Sequence, residues 1–237
     1  MSGAEPAIHV YYADQRDLAG EHVASFLTDS DRQRGEEATH PRRRAEFLAG
    51  RALLRYALEQ FTGRAASSHE LRTAPEGKPE CANGPAISVS HSGAIVVCAV
   101  AGVAVGVDVE TPKTRTVAAV KLAEQNFTAA ETSWVAGDPD DRFRMLWVLK
   151  ESYLKLLGVG LAGGLRSLEC AIAPPWIETR VAAGVAQPRV ALYSAHGSTY
   201  LGVAWRGEPQ RIAIVRWAPT RAADRVGPFE QIAATRE

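Results

Sequence analysis

The chain of 237 residues has little of what most readily announces a function. Its 3 cysteines, Cys81, Cys98 and Cys170, are odd in number, widely spaced and without a CxxC pair, which argues against a disulfide framework and a thiolate zinc site. Neither sign of charge is in excess: 27 Lys and Arg against 27 Asp and Glu give a formal net charge of zero. Whole-chain electrostatics therefore gives no case for nucleic acid or an anionic membrane. Long hydrophobic runs are missing too. "AIVVCAVAGVAVGV", residues 94–107, falls short of the roughly 20 residues of a membrane span and is broken by two glycines, so it reads as two buried strands. The opening "MSGAEPAIHV" lacks the basic and apolar regions of a signal peptide, which predicts a cytoplasmic protein. HExxH, GxxxxGK[ST] and GxSxG are absent, so zinc-protease, P-loop and α/β-hydrolase readings lack their motifs. The glycine-rich "LGVGLAGGL", which holds a GxGxxG over residues 158–163, follows a helix instead of preceding one, so it neither opens a dinucleotide-binding helix nor cradles phosphate on helix N-terminal amides.

What is present is ordinary in bulk, 46% apolar and 23% charged, enough for one large domain or two modest ones. "AIHVYYA" has the content of a strand, followed by polar, Arg-rich sequence over residues 29–44. In "RAEFLAGRALLRYALEQF", Phe47, Leu54, Leu58 and Phe61 share a helical face, with Arg44, Arg51 and Arg55 on a neighbouring stripe. "TAPEGKPECANGPA" is a loop turning near Gly77, and "ISVSHSG" is an alternating strand ending in a polar turn. A second apolar strand joins "AVGVDVE" through a glycine hairpin at Gly102. Helices are expected through "VAAVKLAEQNF", from Thr128, and over residues 142–157, where Gly158 ends the last. "SLECAIA", "RVALYSA", "TYLGVAW" and "RIAIVRW" read as short strands. The order predicts an α+β fold in two layered halves.

Two stretches carry chemical interest. In "AVGVDVE", residues 104–110, a strand puts the valines on one face and Asp108 and Glu110 together on the other. Two carboxylates so placed raise each other's pKa unless they face water or a cation intervenes. In "FRMLWVLKESYLKLLGVGL", Leu146, Leu149, Tyr153, Leu156 and Leu157 form a buried face, and Trp147, Glu151 and Lys155 step four residues at a time along an adjacent stripe. Taken alone, Glu151 and Lys155 are an ordinary surface pair, His91 is a turn histidine, Lys78 a solvated loop lysine, and the run from Arg42 to Arg44 a helix start. Arginine is nonetheless the side chain best suited to bidentate phosphate contact.

In order along the chain, "RRRAEFLAGRALLR", "GKP", "ISVSHSG", "VGVDVE", "FTAAE" and "LWVLKESYLKLLGVGL" together resemble the surfactin-type (Sfp-type) 4'-phosphopantetheinyl transferases, which load the phosphopantetheine arm of coenzyme A onto carrier proteins. The resemblance covers roughly residues 42–161, about half of the chain. It implies an α+β fold of two similar α/β halves related by pseudo-twofold symmetry. Residues 1–104 would hold the nucleotide and phosphates, and 105–237 the metal and catalytic groups. Asp108, Glu110 and Glu151 match the family's Mg²⁺ ligands. Glu151, directly or through a bound water, is the implied base for the carrier serine, and Lys155 would neutralise or protonate the departing 3',5'-ADP. Lys78, Ser90 and His91 fall near the phosphates of coenzyme A, Arg44 and Arg51 toward its nucleotide end, and Arg34 within reach of its 3'-phosphate. Glu131 matches a recurrent glutamate without an assigned role.

The implied partner is an apo acyl or peptidyl carrier protein, of fatty acid, polyketide, nonribosomal peptide or siderophore synthesis, with no nucleic acid and no membrane. Members of this length imply a monomer. Two other classes share parts of the pattern. A Mg²⁺-dependent pyrophosphate hydrolase acting on coenzyme A or a nucleotide would use the same carboxylates with water as nucleophile. A silent carrier-binding module would need none of Asp108, Glu110, Glu151 and Lys155.

Overall fold

The structure, a computed structural model, describes residues 7–18, 20–75, 77–112, 119–195, 198–208, 210–219 and 228–236. Strand β1 (Ile8–Asp14) leads through two short helices, α1 (Glu21–Ala24) and α2 (Asp29–Glu36), into the 22-residue α3 (Pro41–Thr62). A small hairpin, β2 (Leu71–Thr73) and β3 (Pro79–Cys81), precedes the longer β4 (Ala86–Ser92) and β5 (Ile95–Ala101). The second half opens on β6 (Val105–Glu110) and passes through α4 (Ala119–Asn126), α5 (Ala129–Val135) and α6 (Pro139–Leu157). It closes with β7 (Leu168–Ala173), β8 (Trp176–Val181), β9 (Arg189–Ala195), β10 (Thr199–Trp205), β11 (Ile212–Arg216) and β12 (Glu230–Ala234).

Ten strands form two sheets, ordered β11-β1-β5-β4 and β6-β10-β9-β12-β8-β7. They pack face to face because β1, β5, β6 and β10 are apolar on the sides that meet. Ile8, Val10, Val97 and Ala99 share one core with Val105, Val107, Val109, Leu201 and Val203. The outer face of the first sheet takes α3, whose Leu53, Leu54 and Leu58 pack with Cys98 and Val100. The outer face of the second takes α6, where Leu146, Leu149 and Tyr153 pack with Leu192, Tyr200 and Ala204. The layers therefore run helix, sheet, sheet, helix, the same from either end, as two similar α/β halves require. The halves are threaded through one another: β11, late in the chain, returns to lie parallel to β1 in the first sheet.

Sequence signals set the ends of the long helices. Both start on a proline, whose missing N–H is no loss in the first turn. Both stop at a left-handed glycine, Gly63 (φ 66°) and Gly158 (φ 75°). The helix expected through "VAAVKLAEQNF" is observed as α4, with Val117 and Ala118 outside the described residues. The polar stretch after Asp29 holds an element the periodicity did not reveal: α2 is announced by a capping box, Thr28 with Asp31. The same device recurs at α5, Thr128 with Glu131. In each half the capping carboxylate also grips a buried cation from the long helix. Asp31 accepts from Arg55 of α3, and Glu131 lies 2.7 Å from Lys150 of α6. Glu131 accepts from the Cys170 amide as well, at 2.8 Å, which gives this glutamate a role in holding α6 to the second sheet.

Candidate active site

Two glycines bring α6 onto the second sheet at backbone distance. A methyl group at Gly106 would lie 1.9 Å from the carbonyl oxygen of Ser152, and one at Gly202, 2.4 Å from that of Val148. Gly202 stands opposite Asp108 in the ladder between β10 and β6. The helix stripe of Glu151 and Lys155 is thereby seated over the acidic face of β6. Lys155 reaches across: its Nζ donates to Asp108 Oδ1 at 2.6 Å and stays 4.0 Å from Glu151 Oε2. The surface pair that i,i+4 spacing suggests is replaced by a bridge from helix to strand.

Asp108 is 3% exposed. Its Oδ1 takes a second donor, the Ser90 hydroxyl at 2.6 Å, while its Oδ2 is buried with no hydrogen-bond partner. Glu110 accepts from the Ser92 hydroxyl at 2.9 Å. Burial, and then the neighbouring charge of Asp108, push the Glu151 carboxyl up to about 7. Lys155 opposes that rise, Glu110 adds to it, and a hydrogen bond from Trp147 opposes it again. The three carboxylates thus feel one another through a partly dry space, as converging acids do.

The first half supplies cations. A cavity of about 650 Å³ lies between α3 and β4, lined among others by Arg34, Arg43, Phe47, Arg51, Gly77 and His91. Arg51 is 6% exposed, its Nη1 is buried without a partner, and its guanidinium sits 5.2 Å from the Phe47 ring centroid. Burial lowers its pKa, against the pull of Asp31 4.0 Å away. Arg55, one turn on, is satisfied by Asp31, Thr28 and the carbonyls of Ala66 and His69. Of the arginine run, Arg43 lines the cavity; Arg44 is exposed, 3.5 Å from Glu36. Lys78 leaves the loop between β2 and β3 toward the end of α6, where its Nζ donates to the Leu156 carbonyl at 3.2 Å. Burial lowers its pKa, with Glu80 opposing. Ser90 and His91, adjacent in sequence, point to opposite faces of β4, the first to Asp108 and the second to the cavity.

Two family profiles cover most of the chain. The 4'-phosphopantetheinyl transferase superfamily matches residues 104–214, and the 4'-phosphopantetheinyl transferase N-terminal domain matches residues 32–101. The 4'-phosphopantetheinyl transferase psf-1 of Bacillus pumilus is 33% identical over 126 residues, 51% of this chain and 53% of the relative. A 4'-phosphopantetheinyl transferase of Bacillus subtilis is 30% identical over 163 residues, 65% of this chain and 71% of the relative. The chain belongs to the 4'-phosphopantetheinyl transferase superfamily. The 4'-phosphopantetheinyl transferase HetI of Nostoc is 29% identical over 171 residues, 68% of this chain and 71% of the relative. The matched segments thus span from about half to about seven-tenths of these relatives' own lengths.

For this member of the superfamily the resemblance implies Mg²⁺, and the site's chemistry can be tested against it. Among the described residues no group of three or more His, Cys, Asp or Glu side chains is placed to hold a metal ion, so Asp108, Glu110 and Glu151 do not stand as a ready three-ligand site. Mg²⁺ does not need one, since it keeps several waters and takes one or two carboxylates plus substrate phosphates. The buried, partnerless Oδ2 of Asp108 is the kind of atom such a cation satisfies, and the residues fit the group on that ground. No helix of the described residues is long and apolar enough to cross a membrane.

Proposed function

We propose that this protein transfers the 4'-phosphopantetheine moiety of coenzyme A to a serine hydroxyl of an apo acyl or peptidyl carrier protein. The observation that carries the reading is Asp108: buried between the two halves, held through one oxygen by Ser90 and Lys155, and left with the other oxygen buried and unpartnered, while Glu151 feels its charge and that of Glu110. Asp108, Glu110 and Glu151 would hold Mg²⁺, which supplies neutralising charge to the diphosphate. The arginine-lined cavity takes the nucleotide end, with Arg51, Arg43, Arg34 and His91 toward phosphate and Phe47 offering a ring. Lys78, at the end of the helix that carries Lys155, faces the same ligand from the first half.

The chain's own residues then perform the transfer. The serine oxygen forms a bond to the phosphorus next to pantetheine as that phosphorus parts from the bridging oxygen of the diphosphate. Glu151, on the helix stripe it shares with Lys155, is the base that would take the serine proton. Lys155 neutralises the oxygen that leaves with 3',5'-ADP.

A panel of apo-carriers incubated with coenzyme A, Mg²⁺ and this protein should gain the phosphopantetheine mass. Coenzyme A incubated without a carrier should stay largely intact; its rapid cleavage would favour a hydrolase and overturn the transfer reading. Asp108→Ala should lower transfer by about 10³-fold or more while the fold persists, because the strand is held by its valines. Wild-type transfer by that variant would refute the assignment.

A further inference from the structure

β4 and β6 are the facing edges of two different sheets, and no backbone ladder joins them. Serine side chains take its place. Ser88, Ser90 and Ser92 alternate along β4 and so share one face. The Ser88 hydroxyl oxygen accepts from the Val107 amide at 3.0 Å. Ser92 accepts from the Thr111 amide at 3.1 Å and donates to Glu110 at 2.9 Å. The outer two serines therefore fix the backbone of β6 and of Thr111 just beyond its end, and the middle one meets Asp108.

Resting on the reading above, we propose that Ser90 is a positioning residue for the cation site. Its hydroxyl and the Lys155 ammonium both occupy Oδ1 of Asp108, each at 2.6 Å. Two donors on one oxygen stop the carboxylate from turning about its own axis, so that Oδ2 is the oxygen reserved for a cation. Lys155 alone does not do this. It sits on a flexible stem and also faces Glu151, whereas the serine hydroxyl is short and set on a strand. The same strand presents Val89 and His91 to the arginine-lined cavity. A single strand thereby sets the spacing between nucleotide pocket and cation site.

The test separates holding Asp108 from touching coenzyme A. Ser90→Ala should weaken Mn²⁺ binding, followed by electron paramagnetic resonance in the presence of coenzyme A without carrier, by about tenfold or more, the scale of a hydrogen bond to a charged group. The Mg²⁺ concentration for half-maximal transfer should rise in parallel. Coenzyme A affinity measured by calorimetry in EDTA should stay within about twofold of wild type, since the hydroxyl faces away from the cavity. Ser90→Thr, which keeps the hydroxyl, should bind Mn²⁺ like wild type. Unchanged Mn²⁺ binding by Ser90→Ala, or a loss of coenzyme A affinity in EDTA with Mn²⁺ binding intact, overturns the proposal. Asp108→Ala measured alongside keeps the two readings apart: undiminished Mn²⁺ binding by that variant removes the cation site itself, whatever Ser90 does.

Discussion

Arg51 and Arg55 lie one turn apart on α3 and are almost equally buried, at 6% and 3% exposed, yet they differ in what they touch. Arg55 spends its donors on Asp31, Thr28 and two backbone carbonyls. Arg51 has only a 4.0 Å approach to Asp31 and keeps a buried nitrogen without a partner. Removing Arg55 strands a buried carboxylate, so Arg55→Ala should cost about 3–5 kcal/mol in denaturant melts. Arg51→Ala leaves Asp31 satisfied. It should raise the KM for coenzyme A by about tenfold with kcat nearly unchanged, the mark of lost ground-state binding. A purely structural Arg51 would show the reverse, a lower melting midpoint at constant KM. Glu151 allows a further check. Its native pKa near 7 lies above the ordinary 4.5, so the native state binds its proton more tightly than the unfolded chain does. Stability then falls as pH rises through that interval, and the penalty is complete above it. In metal-free protein Glu151→Gln removes a penalty of up to about 3 kcal/mol at pH 8 and almost nothing near pH 4.5. Denaturant melts in EDTA should show the variant more stable than wild type at pH 8 only, although transfer is lost. Equal stability at both pH values would place Glu151 in water rather than among carboxylates.

The helix that carries Glu151 and Lys155 is located by what its partner strands lack. Gly106 and Gly202 leave no side chain between α6 and the sheet, and the ladder sets Gly202 beside Asp108. Gly106→Ala forces its methyl into the Ser152 carbonyl, so the helix must lift. The expected cost is about 3 kcal/mol or more in stability. In whatever protein still folds, kcat should fall about 10²-fold, because Lys155 and Glu151 lift off Asp108 together. Wild-type kcat in a folded Gly106→Ala protein would show that the helix is free to move without consequence. Much of this was legible beforehand, because the relevant signals are local. Strand alternation placed Asp108 and Glu110 on one face, and helical spacing placed Glu151 and Lys155 on one stripe; Gly158 marked the end of that helix, which starts earlier than its expected residue 142, at Pro139. Contacts between distant segments were not legible. Nothing near Lys155 says that its ammonium prefers Asp108 to Glu151. Three arginines in a row look alike until α3 has a neighbour, and it is Arg43 that turns to the cavity. Serines at alternate positions of "ISVSHSG" were visible as a pattern, but their meaning depends on the strand they face.

The two halves share more than a boundary. β11 belongs to the first sheet although it follows the whole of the second in sequence, apart from β12. The sheets share one core, and the serines of β4 replace the hydrogen bonds that the edge of β6 would otherwise leave unmade. Such a molecule should unfold as one cooperative unit, since neither half keeps a complete sheet or a covered face without the other. Trp217 sits in the core beneath α3, while Trp147 packs against the core beneath α6. Labelled with 5-fluorotryptophan, the two indoles report on opposite ends of the layer stack by fluorine NMR. In urea their native signals should disappear at the same midpoint. Ser88→Ala leaves the Val107 amide buried without an acceptor, and it should lower stability by about 1–3 kcal/mol, moving both midpoints together. A shift of one signal without the other, or two midpoints in the wild type, would mean that the halves fold separately and that the serine face joins them only loosely.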